Sequence, residues 1–208
     1  DLTSNTQVQG RKVTITDGAS GSAEFNIGIS SPALSGSGKV RIGTYRLIAE
    51  NTVLTSANFS NKLVLQGNLE VQVKPLVVSL NSTKSKAYDG NVQMTSLALA
   101  LSTPLTGDVV AASGTGVYAS KNVGETNYTV SGITLSGSDG SNYVVQGGSI
   151  AQISGTDGQI TSRSLTVVPT GGQSKVFGGS DPALTYTYSG QVSGELPGFS
   201  GVLSRVAG

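Results

Sequence analysis

The sequence predicts a mainly β protein built from tandem small antiparallel β-sandwich-like modules. Three observations predict it: a polar, glycine-rich composition, short stretches of alternating side chains between turn signals, and a long internal repeat. Of 208 residues, 29 are Gly and 37% are apolar, while only 12% are charged, about half the usual charged share. Ser, Thr, Asn and Gln fill most polar positions. Branched residues suit pleated strands, and Gly, Asn, Asp and Ser suit the corners between them. Disorder is the rival reading of such a composition. The dense Val, Ile, Leu and Tyr positions argue against it, since they can bury enough apolar surface to offset chain entropy.

Strand signals are clearest where side chains alternate in a period of two. In Leu69–Lys74, Leu69, Val71 and Val73 share one face and Glu70, Gln72 and Lys74 the other. Leu184, Tyr186 and Tyr188 oppose Thr185 and Thr187, and Val13 and Ile15 alternate with Lys12, Thr14 and Thr16. Leu97, Leu99 and Leu101 alternate with Ala98 and Ala100, and here alone a short helix competes. Such a helix, over residues 95–107, would turn the modules into β-grasp-like sheets, which is the alternative fold. Asp17-Gly18, Asp89-Gly90, Asp139-Gly140 and Asp157-Gly158 read as turns, because Gly tolerates positive φ. Turns this frequent between short strands point to antiparallel sheets.

The repeat follows from aligning residues 42–75 with 123–165. Gly43 matches Gly124, Tyr45 matches Tyr128, Asn58-Phe59 matches Asn142-Tyr143, and Lys74 matches Arg163. Residues 76–90 then match 165–179, with Lys86 and Tyr88 each 89 residues before Lys175 and Phe177. A β-helix is disfavoured, because its repeat would be far shorter. The predicted domains are an incomplete β module over 1–75, a complete module over 76–163 and the first half of a third over 164–208. Lys74-Pro75-Leu76 reads as a stiff connector, because Pro fixes φ and removes a donor. The chain starts and stops abruptly, so the expectation is a fragment of a longer protein.

The same composition constrains function. Cys and His are absent, which removes thiol nucleophiles, disulfides, imidazole bases and nearly all zinc chemistry. A Ser nucleophile would need a Lys base, and the one run that offers both, Ser82–Lys86, reads as a flexible polar joint. The 12 acidic residues mostly sit beside Gly in turns and do not form the facing pair a glycosidase uses. No enzyme activity, catalytic residue or bound cofactor is therefore expected. Calcium is the one ion left open, through Asp139 with Asp157 or Glu125. The 13 basic residues are scattered for a net charge of +1, so neither nucleic acid nor membrane insertion is expected. Asn58, Asn81 and Asn127 head glycosylation sequons, and exposed tyrosines offer flat faces to sugar rings.

The sharpest local signature is Lys84–Gly90, KSKAYDG, read as a strand end that buries the ring of Tyr88 and then turns at Asp89 and Gly90. This run, followed by KNVGETNYTVSGITLSGSDGSNYVV, resembles the YDG-type repeat of large bacterial exoproteins. The stretch from Leu165 resembles the opening half of the partner MBG repeat, through Phe177-Gly178 and Asp181-Pro182-Ala183-Leu184-Thr185-Tyr186. Phe177 stands where Tyr is more typical. The resemblance implies a structural stalk or binding segment of a filamentous-haemagglutinin-like adhesin, secreted by a two-partner system to a Gram-negative cell surface or the extracellular space. It implies as partners a biofilm polysaccharide or a host or neighbouring cell surface, while the weakly charged faces, which protect strand edges poorly, add self-association as an expectation. The alternative function is a carbohydrate-binding module for extracellular polysaccharide. The family pattern is structural, so Tyr88, Asp89, Gly90, Phe177, Gly178, Asp181 and Pro182 are carried over as motif residues and not as a reactive centre.

Overall fold

The computed structural model describes residues 6–9, 12–18, 20–58, 63–148 and 151–205. In chain order its strands are β1 Thr6–Gln9, β2 Lys12–Thr16, β3 Ser22–Ile29, β4 Gly43–Leu54, β5 Asn68–Val71, β6 Lys74–Leu76, β7 Val78–Leu80 and β8 Ser85–Ala87. There follow β9 Leu99–Leu101, β10 Ala111–Tyr118, β11 Tyr128–Ser136, β12 Tyr143–Val145, β13 Ile153–Gly155, β14 Gln159–Thr161, β15 Thr166–Pro169 and β16 Tyr186–Ser189. A 3-10 turn, Gly140–Asn142, precedes β12. The protein is mainly β, with several small antiparallel sheets. Among the described residues no α-helix forms; the Ala/Leu run that left a helix open is strand β9. Phe59, half of one repeat match, lies outside the described residues.

The chain divides into two compact units, each assembled from separate segments. The first comprises residues 1–79, 100–113 and 134–149, and the second residues 80–99, 114–133 and 150–208.

In the first unit β1 to β5 form a five-stranded antiparallel sheet in sequence order. Each strand of this meander lies beside the one that precedes it in the chain, and the link from β3 to β4 spans residues 30–42. Val13 is fully buried, and Ala23 and Phe25 on β3 are 3% and 2% exposed. The period-two reading thus holds at Val13, with Phe25 directly opposite it in register. One irregularity interrupts the pairing of β3 with β4 between Glu24 and Asn26. There β4 carries an extra residue, and Asn51 takes a φ of +50°, a left-handed value that Asn tolerates better than most residues.

The predicted strand Leu69–Lys74 is split. Its first part, β5, pairs only with β4 at the sheet edge, and Leu69 stays 44% exposed. The chain then changes partners, and β6 pairs in parallel with β12, Pro75 standing opposite Val144. Lys74-Pro75-Leu76 is therefore a strand rather than a connector. Pro is admitted because a two-stranded pair leaves one edge free of ladder bonds. The buried residue of this stretch is Leu76, 1% exposed.

In the second unit β13 pairs antiparallel with β11, placing Tyr128 opposite Gly155. The Tyr128 ring lies where a Cβ on Gly155 would sit, only 2.3 Å from its hydroxyl, so the small residue makes room for the ring. Gly158 serves a similar purpose, because a side chain there would meet the Thr126 carbonyl and the Tyr118 ring. Neither Gly140 nor Gly158 has positive φ, whereas Gly18 at +76° and Gly90 at +80° do. The buried residues here are Met94, Tyr118, Tyr128, Val130, Ile133 and Ile160.

β14 pairs in parallel with β8, and Ile160 stands opposite Lys86. Residues more than seventy positions apart thus join, a link that turn signals do not report, since parallel strands require a long crossover. Replacing Ile160, 1% exposed, with Ala should cost roughly 2–4 kcal/mol of unfolding free energy. The fully exposed Phe177 replaced with Ser should change it by less than about 0.5 kcal/mol. Denaturant titration of the two variants checks the contrast; equal effects would refute the burial assignment.

Candidate functional site

Strand β8 alternates outward, inward, outward, so the side chain of its middle residue, Lys86, points to the interior. The chain then reverses through Asp89 and Gly90, whose φ of +80° is left-handed, and this wraps the following backbone around the lysine head. The Lys86 Nζ donates to Asp89 Oδ1 at 2.7 Å, Asn91 O at 2.8 Å, Asn91 Oδ1 at 3.1 Å and Gln93 O at 2.8 Å. Its side chain is 3% exposed. The Tyr118 ring lies 5.7 Å from the ammonium, within cation–π range. Asp89 Oδ1 also accepts the Asn91 amide at 3.2 Å, and Asn91 Oδ1 the Gln93 amide at 2.9 Å. The ammonium therefore gathers a carboxylate and carbonyls much as a bound cation would, and its donors and charge are matched.

Ser82–Lys86 is thus not a flexible joint. Its last two residues belong to β8, and its second lysine is the most buried cation of the chain's described part. Nor is Tyr88 a core anchor. The ring is half-buried, and the phenol donates to Glu195 Oε1 at 2.5 Å. It leaves the core because the turn begins at Tyr88, where the strand alternation ends. Lys121 Nζ reaches the same Glu195 oxygen at 3.2 Å. Together Tyr88 and Lys121 hold the Glu195 carboxyl below its ordinary value, and the bond to Glu195 pushes the Tyr88 phenol up.

Beside this trio lies a cavity of about 320 Å³, walled by Tyr88, Val123, Leu165, Val192, Leu196 and Arg163. Arg163 is fixed by its bond to the Gly190 carbonyl. The cavity is thus walled mainly by apolar side chains, with a phenol, a carboxylate and a guanidinium among its lining groups.

The remaining motif residues lie in the second unit as well. Phe177 is fully exposed and Gly178 has a φ of +83°. Asp181 pairs with Lys175 at 2.6 Å and with Arg205 at 3.1 Å; the Lys175 bond, then Arg205, holds its carboxyl below the ordinary range. Pro182 lines a smaller cavity of about 150 Å³ with Gln173, Lys175 and Leu184. Tyr186 and Tyr188 pack against Phe199 with ring centroids 5.6 and 5.0 Å away. Tyr186 nonetheless remains 40% exposed.

The three carboxylates considered for calcium have separate protein donors. Asp139, 1% exposed, accepts the amides of Val109 and Gly36, the Ser138 hydroxyl, and the Arg41 guanidinium at 2.7 Å. The Val109 bond is the largest influence holding its carboxyl low. Asp157 pairs with Lys84 at 2.6 Å, and Glu125 accepts the amides of Thr126 and Asn127. Among the described residues no three acidic side chains gather closely enough to hold a metal ion. In the first unit Asp108 accepts the Ser37 amide and the Tyr143 hydroxyl, each at 2.6 Å. Burial opposes but does not overcome these bonds, which hold it well below the usual range. None of these carboxyls is raised as a general acid at neutral pH requires. Two sequon amides are also engaged, Asn58 Nδ2 by Asp17 and Asn127 Nδ2 by Glu125.

Residues 72–151 match the YDG domain family, so the motif Tyr88-Asp89-Gly90 and its lysine clamp fall inside a YDG domain. No curated protein and no solved structure matches the chain.

The clamp makes two expectations. Lys86→Met, which strands Asp89 and the loop carbonyls, should lower stability by roughly 2–4 kcal/mol, while Lys84→Met, on a far more exposed pair, should cost much less. Burial would raise the Asp89 carboxyl, yet Lys86 and the Asn91 amide hold it low. Its contribution is therefore complete above the unfolded carboxylate value and is lost as pH falls through the lower folded value. Chemical denaturation from pH 7 to 2 should show stability falling below about pH 4, with a shallower fall in Asp89→Asn. An acid limb unchanged by that substitution would exclude Asp89 from the clamp.

Proposed function

We propose that this chain is a structural stalk or presenting segment of a large bacterial adhesin, displayed at or secreted from a Gram-negative cell surface. Its role is to space binding surfaces and to resist load, with no reaction performed. One observation carries the reading: the strand pairing repeats with the sequence. Strand β7 pairs with β9, and β15, at the matching positions of the next repeat, pairs with β16. Beyond each pair an amide of the first strand's exit bonds the second: Asn81 N to Ala98 O and Thr170 N to Thr185 O, both 2.9 Å. A recurring hairpin-like pair, with a YDG domain built on it, suits an array that transmits force from repeat to repeat. The filamentous-haemagglutinin-like character, two-partner secretion and biofilm matrix as the setting belong to this proposal, supported by the YDG and MBG motifs.

A second reading, a carbohydrate-binding module, is favoured by the cavity beside Tyr88. Its half-buried ring with Arg163, Gln191 and Glu195 at the wall offers a stacking face and hydrogen-bonding groups, which is how sugars are held.

Stretched between its ends in single-molecule force spectroscopy, the chain should unfold in discrete ruptures, at lower force in Lys86→Met. Smooth extension without ruptures would overturn the stalk. On an array of bacterial extracellular polysaccharides, the stalk reading expects no binding. Retention weakened by Arg163→Ala would establish the second reading instead.

A further inference from the structure

The shell around Lys86 offers more than an ion pair needs. Lys84, two residues earlier, is matched by one carboxylate, Asp157, at 2.6 Å. Lys86 instead meets one oxygen of Asp89, two of Asn91 and one of Gln93, at 2.7 to 3.1 Å. An ammonium has three protons to donate, so its acceptors outnumber its donors. Oxygens packed around a point charge in this way resemble the coordination of an ion more than a set of hydrogen bonds.

These oxygens are held in place by bonds that do not involve the lysine. Met94 N donates to Gly116 O at 2.9 Å and Tyr118 N to Val92 O at 2.8 Å, which ties residues 92–94 to β10. Gln93 stands opposite Val117 in the same bridge. The Asn91 amide bonds Asp89 Oδ1 and the Gln93 amide bonds Asn91 Oδ1, so both side chains are oriented from within the turn. The Tyr118 ring, 5.7 Å from Nζ, is fixed by its hydroxyl on Lys84 O. Lys86 supplies only the charge at the centre.

Size and charge define what such a shell accepts. Its distances of 2.7 to 3.1 Å exceed the roughly 2.3–2.6 Å that calcium takes and the roughly 2.0–2.1 Å that magnesium takes. Asp89 is the one carboxylate in it, and it balances a single positive charge; a divalent ion would leave a buried charge unmatched. Carbonyl oxygens replace the water shell of potassium elsewhere in proteins, and an aromatic face attracts any cation. We infer that the oxygens of Asp89, Asn91 and Gln93 form a binding site for a monovalent cation of ammonium size, such as potassium or ammonium, and that Lys86 fills it as a tethered cation. The tether keeps the site occupied whatever ions surround the protein, so the turn holds one shape in any salt. With the ammonium removed, the shell takes a free cation in its place. The site stands apart from the stalk and carbohydrate readings and depends on neither.

The test uses the whole chain carrying Lys86→Met. The unbranched Met side chain stops one atom short of the lysine nitrogen, so it keeps the stem and empties the centre of the shell. Thermal unfolding is followed in the chlorides of choline, potassium, ammonium and calcium at equal ionic strength, choline being too large to enter. Potassium or ammonium should raise the midpoint of the variant by about 2 °C or more above its value in choline, as mass action on a site present only in the folded state requires. Wild type and Lys84→Met should show no such gain, and it should vanish when Asp89→Asn is added to Lys86→Met. If Lys86→Met is unfolded in choline, potassium or ammonium should refold it. Equal midpoints in the three monovalent salts, or a variant unfolded in all of them, would overturn the inference. So would a larger gain from calcium, which would make the site divalent, or a gain that wild type shares or that survives Asp89→Asn, which would put the cation elsewhere.

Discussion

The second unit is organised around the burial of one ammonium group. Removing a charge from water is costly unless it is paired and hydrogen-bonded, and Lys86 meets that condition with Asp89, Asn91 and Gln93. To place these acceptors around Nζ, the chain must leave β8, turn through a left-handed Gly90 and come back within four residues. The alternation of β8 points Lys86 inward, and Ile160 of β14, itself buried, stands opposite it in the parallel pair. Tyr118 adds its ring face to the ammonium and gives its hydroxyl to the Lys84 carbonyl at 2.8 Å. One polar group thus fixes a turn, a parallel strand pair and the orientation of a core aromatic.

This arrangement explains what was legible beforehand and what was not. Val13 follows from alternation, because a half-buried strand declares its inner face through residue type; Phe25, its register partner, was not singled out. The run at Leu97–Leu101 alternates too but left a helix open, and Leu99–Leu101 is a strand whose three residues are equally half-buried. Lys86 was not legible, since an inward lysine breaks the alternation rule and looks like a solvated position. The available signal was the combination of its inward parity with the carbonyl-rich Asp-Gly-Asn that follows it. Tyr88 misled in the opposite direction: its ring suggests core, but the turn starting there carries it outward to Glu195. The pairings of β6 with β12 and of β8 with β14 had no local signal at all, because the sequences that meet are separated by most of a repeat.

The first unit answers the same problem with the opposite charge. Asp139 is the buried ion there, and backbone amides of Gly36 and Val109 converge on it with Arg41. The Asp-Gly pair that reads as a simple turn signal is thus a long-range anchor. Its carboxylate bonds residues about a hundred positions earlier in the chain, while Gly140 opens the 3-10 turn that leads into β12. Asp108 and Tyr143 repeat the theme beside it, with the phenol bridging a carboxylate and the Leu105 amide. The turn at Asp139-Gly140, which composition alone would assign to the surface, is therefore where distant segments are tied together.

A chain with no cysteine, little charge and small sheets has few ways to make a fold unique. Apolar packing supplies most of the stability, yet thin two-stranded sheets bury little and tolerate sliding in register. A buried ion that can be satisfied by only one arrangement of carbonyls or amides penalises every slipped register by the cost of stranding a charge. Lys86 and Asp139 act in this way, one for the pairing of β8 with β14 and one for the segments around β12.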